Sequence, residues 1–373
     1  MGLTDAQTAQ GMATRHRKSV KAIVAGLVEV NALLAKMLKG DRIKWGGYGT
    51  HFDWYVRKLK ETSSWVTGQL GSRTFEERDP MANPTLPYCF IDEKYGVSEK
   101  SIKTNRAAGE MKIYDIQKEN ALVAQSALYR AIAASLYSNG ADDPLEPVGL
   151  MAIVGDAYAT TTASTVAALK AYAGIALTTA GVSAYNAAYS SMGWDNEYWY
   201  PLVVNTGEIP TKSASPLWST DCIKDLAWMV HAMQRTADKS GTGKILKPDL
   251  ALMNTDPWSA LMALLATSQT TYNIPLGSAT PELANFSHIK VGTLDVVFDE
   301  NVPDDAGSEE RVLVLDSKAF VLETCNTKSE GLVEGQWKQN DPEVVGGVGI
   351  YKSNMGLRCE SPHAVGVILA CDT

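Results

Sequence analysis

The stretch YDIQKENALVAQSALYRAIAASLYSNG, residues 114–140, decides the fold of this chain. Leu122, Val123, Leu128, Ile132 and Leu136 alternate in it with six alanines, Ala121, Ala124, Ala127, Ala131, Ala133 and Ala134. The pattern predicts a helix from Tyr114 to Tyr137, capped by Asp115 and ended by Asn139-Gly140. At ~1.5 Å per residue it is roughly 35 Å long, enough to run the length of a domain. Its small side chains let it lie close against a sheet or another helix.

Toward the N-terminus, residues 45–109 are rich in aromatic and β-branched residues cut by glycine and proline. Trp45, Tyr48, Phe52, Trp54, Tyr55, Trp65 and Val66 are followed by Pro80, Pro84 and Pro87, then by Tyr88, Phe90, Tyr95 and Val97. This reads as an extended hairpin with a long irregular tip near residues 71–87. The tip carries Arg73, Glu76, Glu77, Arg78 and Asp79 and too few large apolar residues for a core of its own. Before the hairpin, Val20, Ile23, Val24, Leu27, Val30, Leu34 and Met37 recur three or four apart. They predict an amphipathic helix from Arg17 to Lys39, stopped by Gly40-Asp41. Its stripe needs a surface to cover it, from its own body or from a neighbouring subunit.

After Pro144 and Pro147 the pattern becomes α/β. A helix capped by Ser219 or Thr220 should turn Ile223, Leu226, Ala227, Val230 and Met233 inward and close at Gly241. Asp249–Met253 reads as a strand, and Asp256-Pro257 as the opening of a helix to about Ala266. Strands are expected over Ile289–Phe298 and Arg311–Leu322, joined by the acidic turn Asp299–Glu310, with a final strand pair near Val348–Tyr351 and Val365–Ala370.

The chain has 373 residues, 45% hydrophobic and 20% charged, ordinary usage for a folded protein of two units with extensions. The net charge of -8 is uneven: residues 1–60 carry +7 and the rest -15. A basic arm on an acidic body suits a negative partner, nucleic acid or the body of another copy, and equally a solvated helix face. Arg15, Arg17, Lys18 and Lys21, with His16, form the only dense basic cluster. No aromatics interleave it, so any nucleic-acid contact would be to phosphates, nonspecific and salt-sensitive. The five cysteines are scattered without a CxxC pair, which fits neither a disulfide framework nor a zinc site and suggests a reducing compartment. The segment Ala171–Trp194 is uncharged but poor in large aliphatics, so no membrane span is expected, and the first residues show no secretory pattern.

Catalytic motifs are scarce. Ser240-Gly241-Thr242-Gly243-Lys244 looks like a phosphate loop, but Asp238 and Ile245 stand where it needs Gly and Ser or Thr. The acidic run Asp299, Glu300, Asn301, Asp304, Asp305, Glu309 and Glu310 lacks the calcium-loop spacing and reads as a solvated hairpin tip. None of His16, His51, His231, His288 and His363 neighbours another or a cysteine in sequence; His231 reads as a structural histidine. No catalytic, metal or cofactor site is expected.

The order of parts resembles the major capsid proteins of tailed bacteriophages, a fold shared with encapsulin shells. The likeness is carried by the helix exit Ala133-Ala134-Ser135-Leu136-Tyr137-Ser138-Asn139-Gly140 with Gly149-Leu150-Met151 after it. Tyr172-Ala173-Gly174-Ile175 with Trp194 and Trp199, Lys247-Pro248-Asp249-Leu250-Ala251-Leu252, and Leu294-Asp295-Val296-Val297-Phe298-Asp299 extend it. The resemblance implies an α+β fold with an N-terminal arm (1–45), an extended loop (46–112), a peripheral domain with a long spine helix (113–150, completed by 335–373) and an axial domain (151–334).

The resemblance further implies a non-enzymatic protein that assembles into hexamers and pentamers of an icosahedral head around double-stranded DNA. Trp54, Tyr55 and Trp65 would be exposed anchors for a neighbouring subunit, or would pack locally in the hairpin. Arg73, Glu76, Glu77, Arg78 and Asp79 would pair with charges on that neighbour. Implied partners are further copies of the chain, a separate scaffolding protein, a portal protein, packaged DNA and a decoration protein, with assembly in the bacterial cytoplasm and residence in the virion. Some relatives cross-link a loop lysine to a neighbour's asparagine; Lys58, Lys94, Lys100 or Lys103 with Asn340 or Asn354 would be the positions, and nothing in the sequence demands it. An encapsulin-like nanocompartment shell and a soluble hydrolase with a scattered active site are the alternatives.

Overall fold

The computed structural model describes residues 31–57, 81–98, 100, 110–138, 145–154, 171–173, 175–176, 202–205, 218–239, 246–268, 288–303, 311–330, 332–339 and 346–369. In chain order the elements are α1 (Ala32–Lys39), β1 (Ile43–Lys44), β2 (His51–Asp53), β3 (Val56–Arg57), β4 (Met81–Ala82), β5 (Thr85–Pro87), β6 (Cys89–Ser98), α2 (Glu110–Ser135) and α3 (Leu150–Val154). Then come β7 (Ala171–Tyr172), β8 (Ile175–Ala176), β9 (Leu202–Asn205), α4 (Trp218–Lys239), β10 (Leu250–Met253) and α5 (Thr255–Ser268). The remainder is β11 (His288–Val291), β12 (Leu294–Phe298), β13 (Val312–Leu315), β14 (Phe320–Glu323), β15 (Glu334–Gln339), β16 (Gly346–Cys359) and β17 (Val365–Leu369), with 3₁₀ turns at Ser317–Ala319 and Pro362–Ala364. The fold is α+β, as expected.

The chain divides into two compact units, the first built from residues 1–52, 87–149 and 321–357. Its sheet runs β1-β14-β16-β15, with β6 also paired to β16. The antiparallel β6–β16 register, from Ser98 opposite Gly346 to Cys89 opposite Met355, makes β16 the spine of the sheet. Helix α2 lies against β6, where the Asn120 amide donates to the Gly96 carbonyl at 3.0 Å. Strand β16 carries glycines under aromatic rings. A Cβ on Gly347 would stand 2.3 Å from the Trp337 ring, and one on Gly349 would stand 2.4 Å from the Tyr95 ring. Tyr95 in turn packs on Tyr351 and Trp337, at centroid distances of 5.6 and 6.1 Å. Burial, reinforced by Tyr351, pushes the Tyr95 hydroxyl well above the usual tyrosine range, so it is a neutral packing group.

The second unit comprises residues 53–86, 150–320 and 358–373. Its six-stranded sheet has the order β11-β12-β10-β13-β17-β9. Strand β10 is central, parallel to β12 and antiparallel to β13, and every residue of β10 and β13 is buried. Covered on both faces, such strands read as continuous apolar runs. Helix α4 packs on α5 and on β17, where Gly366 leaves room for Met229 and Met233. Trp218 is fully buried and its indole donates to the Pro257 carbonyl at 3.1 Å, tying α4 to α5.

The loops at one end of this sheet are tied by carboxylates. Asp249 accepts from the backbone N–H and hydroxyl of Ser317 at 2.8 and 2.7 Å. Asp316 accepts from the backbone N–H groups of Lys247 and Lys318 at 2.8 and 3.1 Å. Burial raises the Asp316 carboxyl above its usual range despite those two donors, with Asp249 nearby adding to the rise. A carboxyl held higher in the folded state than in the unfolded chain contributes stability at pH below its unfolded value. That contribution is lost as pH rises through the folded value. The stability difference between wild type and Asp316→Asn should therefore shrink from strongly acidic to neutral pH, read as unfolding midpoints across that series.

Several sequence expectations are corrected. Asn31 is extended (φ -138°) and caps α1 by accepting from the Leu34 N–H, so no single helix runs from Arg17 to Lys39. The long helix starts at Glu110, which puts Asp115 inside it rather than at its cap. Helix α4 starts at Trp218, ahead of Ser219 and Thr220, and buries Trp218, Asp221, Cys222, Asp225, Leu226, Met229, Val230, Ala232 and Met233; Ala227 is exposed and Ile223 half-buried. Helix α5 starts at Thr255, so Asp256-Pro257 lies in its first turn. Ile289–Phe298 is a hairpin, broken where Gly292 takes φ +62°. Arg311–Leu322 is likewise two strands, parted by the Ser317–Ala319 turn. β16 and β17 belong to different sheets and are not a pair.

Candidate functional site: the hairpin neck

Val56 pairs with Ala82 and Arg57 with Met81 in the antiparallel β3–β4 ladder, so the chain leaves and returns at one place across residues 58–80. The neck is anchored just below. The Trp54 N–H donates to the Pro84 carbonyl at 3.3 Å, and the Asn83 amide donates to the Asp53 carboxylate at 3.3 Å. The Thr85 N–H donates to the carbonyl of Ala173 at 3.1 Å, a residue held at φ +53° in the tight β7–β8 hairpin.

Trp54 is 7% exposed and packs on Tyr172, at 6.4 Å between centroids, with the Arg358 guanidinium 5.9 Å from its ring centre. Fully buried Tyr172 accepts from the Cys359 N–H at 2.9 Å, and its hydroxyl is driven well above the usual range by burial. The expected exposed anchor at Trp54 is thus corrected: a large ring beside apolar Tyr172 and a cation gains more from local packing than from water. Its neighbour Tyr55 is 74% exposed. Alternation along extended chain explains the contrast, since successive side chains point to opposite faces.

Trp65, Arg73, Glu76, Glu77, Arg78 and Asp79 lie outside the described residues, as do Arg15, Arg17, Lys18 and Lys21. Lys58, Lys103, Asn340 and the Ser240–Lys244 segment lie outside them too. Lys94 is exposed beside Asp92 at 3.5 Å, and Lys100 is exposed. The Asn354 side-chain oxygen already accepts from the Cys325 N–H at 2.8 Å and the Thr324 hydroxyl at 3.0 Å. In the acidic run, Asp299 is buried and caps its own turn by accepting from the N–H and amide of Asn301 at 2.9 and 2.8 Å.

Two exposed aromatics of the hairpin, Tyr48 and Phe90, are not among the expected contact residues. Tyr48 is 91% exposed between Gly47 and Gly49, on a loop fixed by N–H bonds from Gly46 to Asn326 and from Gly47 to Thr324. Phe90 is 69% exposed on the outward face of β6. Alternation within Cys89–Ser98 was the available signal for Phe90; Tyr48 is marked only by its flanking glycines, two of which, Gly46 and Gly49, hold positive φ.

Among the described residues no His/Cys/Asp/Glu cluster could hold a metal, and no helix is long and apolar enough to cross a membrane. Burial pushes the Cys222 thiol up to about 12 and Cys359 higher, so neither supplies the thiolate that cysteine nucleophiles need. Among the described residues, Cys89, Cys222, Cys325 and Cys359 form no disulfide. His231 is exposed on α4, not enclosed as a structural histidine, and His363 is buried in the Pro362–Ala364 turn.

No protein-family model and no curated protein sequence matches the chain. Its likeness is to shell chains. A capsid chain of a native GTA particle shares 14% identity, covering 90% of this chain and 89% of that one at a TM-score of 0.48. The capsid of Myoviridae phage XM1 shares 12% identity, with coverages of 90% and 92% and a TM-score of 0.48. A holo-encapsulin complex from Synechococcus elongatus shares 10% identity, with coverages of 90% and 87% and a TM-score of 0.49.

Proposed function

We propose that this chain is a structural protein that assembles through many copies of itself into hexamers and pentamers of an icosahedral phage head enclosing double-stranded DNA. The observation that carries the reading is the neck. A 23-residue excursion, 58–80, is clamped at its base by β3–β4 and Trp54, and its sequence is too polar to bury a core alone. A segment of that kind gains order by lying on another molecule, which makes closure of a shell cooperative. Tyr55 beside the neck and Trp65, Arg73, Glu76, Glu77, Arg78 and Asp79 beyond it are the contact residues toward the next subunit.

Arg15, Arg17, Lys18 and Lys21 meet phosphates of packaged DNA or the acidic body of another copy. A separate scaffolding protein, a portal and a decoration protein complete the assembly, which takes place in the bacterial cytoplasm and yields the virion. Electron microscopy and light scattering of the expressed chain test the reading. Closed particles are expected; a strictly monomeric protein at milligram-per-millilitre concentration would sink it. Particles that co-purify with an enzyme cargo instead of nucleic acid would move the assignment to a nanocompartment.

A further inference from the structure

The outward face of α2 carries Glu119, Val123, Ser126 and Arg130, all exposed, at spacings of four, three and four residues. The opposite face, including Gln117, Ala121, Ala124, Leu128 and Ile132, is buried. Val123 is 71% exposed and the adjoining Leu122 46%. Neither Glu119 nor Arg130 has an ion pair among the described residues. The two are eleven residues apart, about three helical turns, so they project from the same side of the helix.

We infer that α2 pairs antiparallel with α2 of a second copy across a two-fold axis. The spacing is that of an antiparallel heptad seam, whose two core positions face each other across the axis. An axis midway between Ala124 and Gln125 sets Glu119 of each copy opposite Arg130 of the other. The same axis sets bulky Val123 opposite small Ser126. The face is therefore complementary to itself in both charge and size, as a two-fold contact requires. A binding partner of another kind would need no such symmetry about one point.

Three helical turns offer on the order of 300 Å² per copy, well below the ~800 Å² per partner of a stable free dimer. The pairing thus reinforces an array instead of making a dimer alone, and in this respect it rests on the shell reading.

Two measurements on the full chain test it. Chains bearing Glu119→Cys mixed with chains bearing Arg130→Cys should form disulfide-linked dimers on oxidation, while neither variant alone should, because like positions lie roughly 16 Å apart along the axis and a disulfide needs Cα atoms within ~7 Å. Separately, Ser126→Cys sits next to the axis and should link to its own copy. Adding Glu119→Lys or Arg130→Glu should lower that yield roughly fivefold, and adding both together should restore it. Equal cross-linking in all mixtures, or no recovery in the double charge exchange, overturns the inference, the latter pointing to a partner other than a second copy. Particles without this cross-link pattern defeat the helix pairing alone. The pattern without particles defeats the shell reading alone.

Discussion

Gly349→Ala is expected to destabilise the first unit by about 3 kcal/mol, the upper range for forcing a methyl into a packed site. The corresponding fall in its thermal unfolding midpoint is roughly 6–12 °C, measured by differential scanning calorimetry of the full chain. Gly349 stands opposite Tyr95 on β6 and opposite Trp337 on β15. A Cβ there would meet ring carbons of Tyr95 at 2.4 Å, against ordinary contacts beyond 3.4 Å. The ring has little freedom to retreat, since Tyr351 and Trp337 pack against it. A double variant, Tyr95→Leu with Gly349→Ala, should lose at least ~1 kcal/mol less than the two singles summed, because the smaller side chain vacates the space. Additive losses would mean that the glycine is needed for another reason.

Trp54→Ala should be of similar size, about 3–5 kcal/mol for emptying a buried indole site. The variant removes the packing on Tyr172 and leaves Arg358 without its ring. The neck loses its anchor, so tryptic cleavage in the 58–80 segment, which contains Lys58, Lys60, Arg73 and Arg78, should speed up together with the fall in midpoint. Tyr55→Ala provides the contrast. Its side chain is 74% exposed, so stability should stay within about 0.5 kcal/mol while particle yield falls. Unchanged particle yield in Tyr55→Ala would remove that residue from the subunit contact.

What the sequence made legible follows from how local each signal is. Helix α2 and the apolar strand β10 are written in periodicity and composition and appear where expected within a few residues, whereas β12 and β13 are each one part of what reads as a longer strand. The breaks were also local but quieter. Asn31 before Ala-Leu-Leu is a helix cap, and Gly292-Thr293 is a hairpin turn, yet the apolar residues on either side joined into seemingly continuous elements. Trp54 could not be placed by pattern, because Tyr172 and Arg358, which cover it, lie more than a hundred residues away. The outward residues Tyr48, Phe90 and Val123 are harder still, for what they would meet is another molecule.

The order in which strands enter the sheets bears on when the chain can fold. In the first unit β6 waits for β16, some 250 residues later, and in the second β13 and β9 both wait for β17 at Val365–Leu369. Neither sheet can close while the ribosome is still short of these segments. Pairings this distant in sequence also form slowly, because loop closure comes before the contacts that repay it. Partly made chains therefore hold open strand edges through most of translation, and nascent copies on one messenger are at risk of pairing with each other before any is complete.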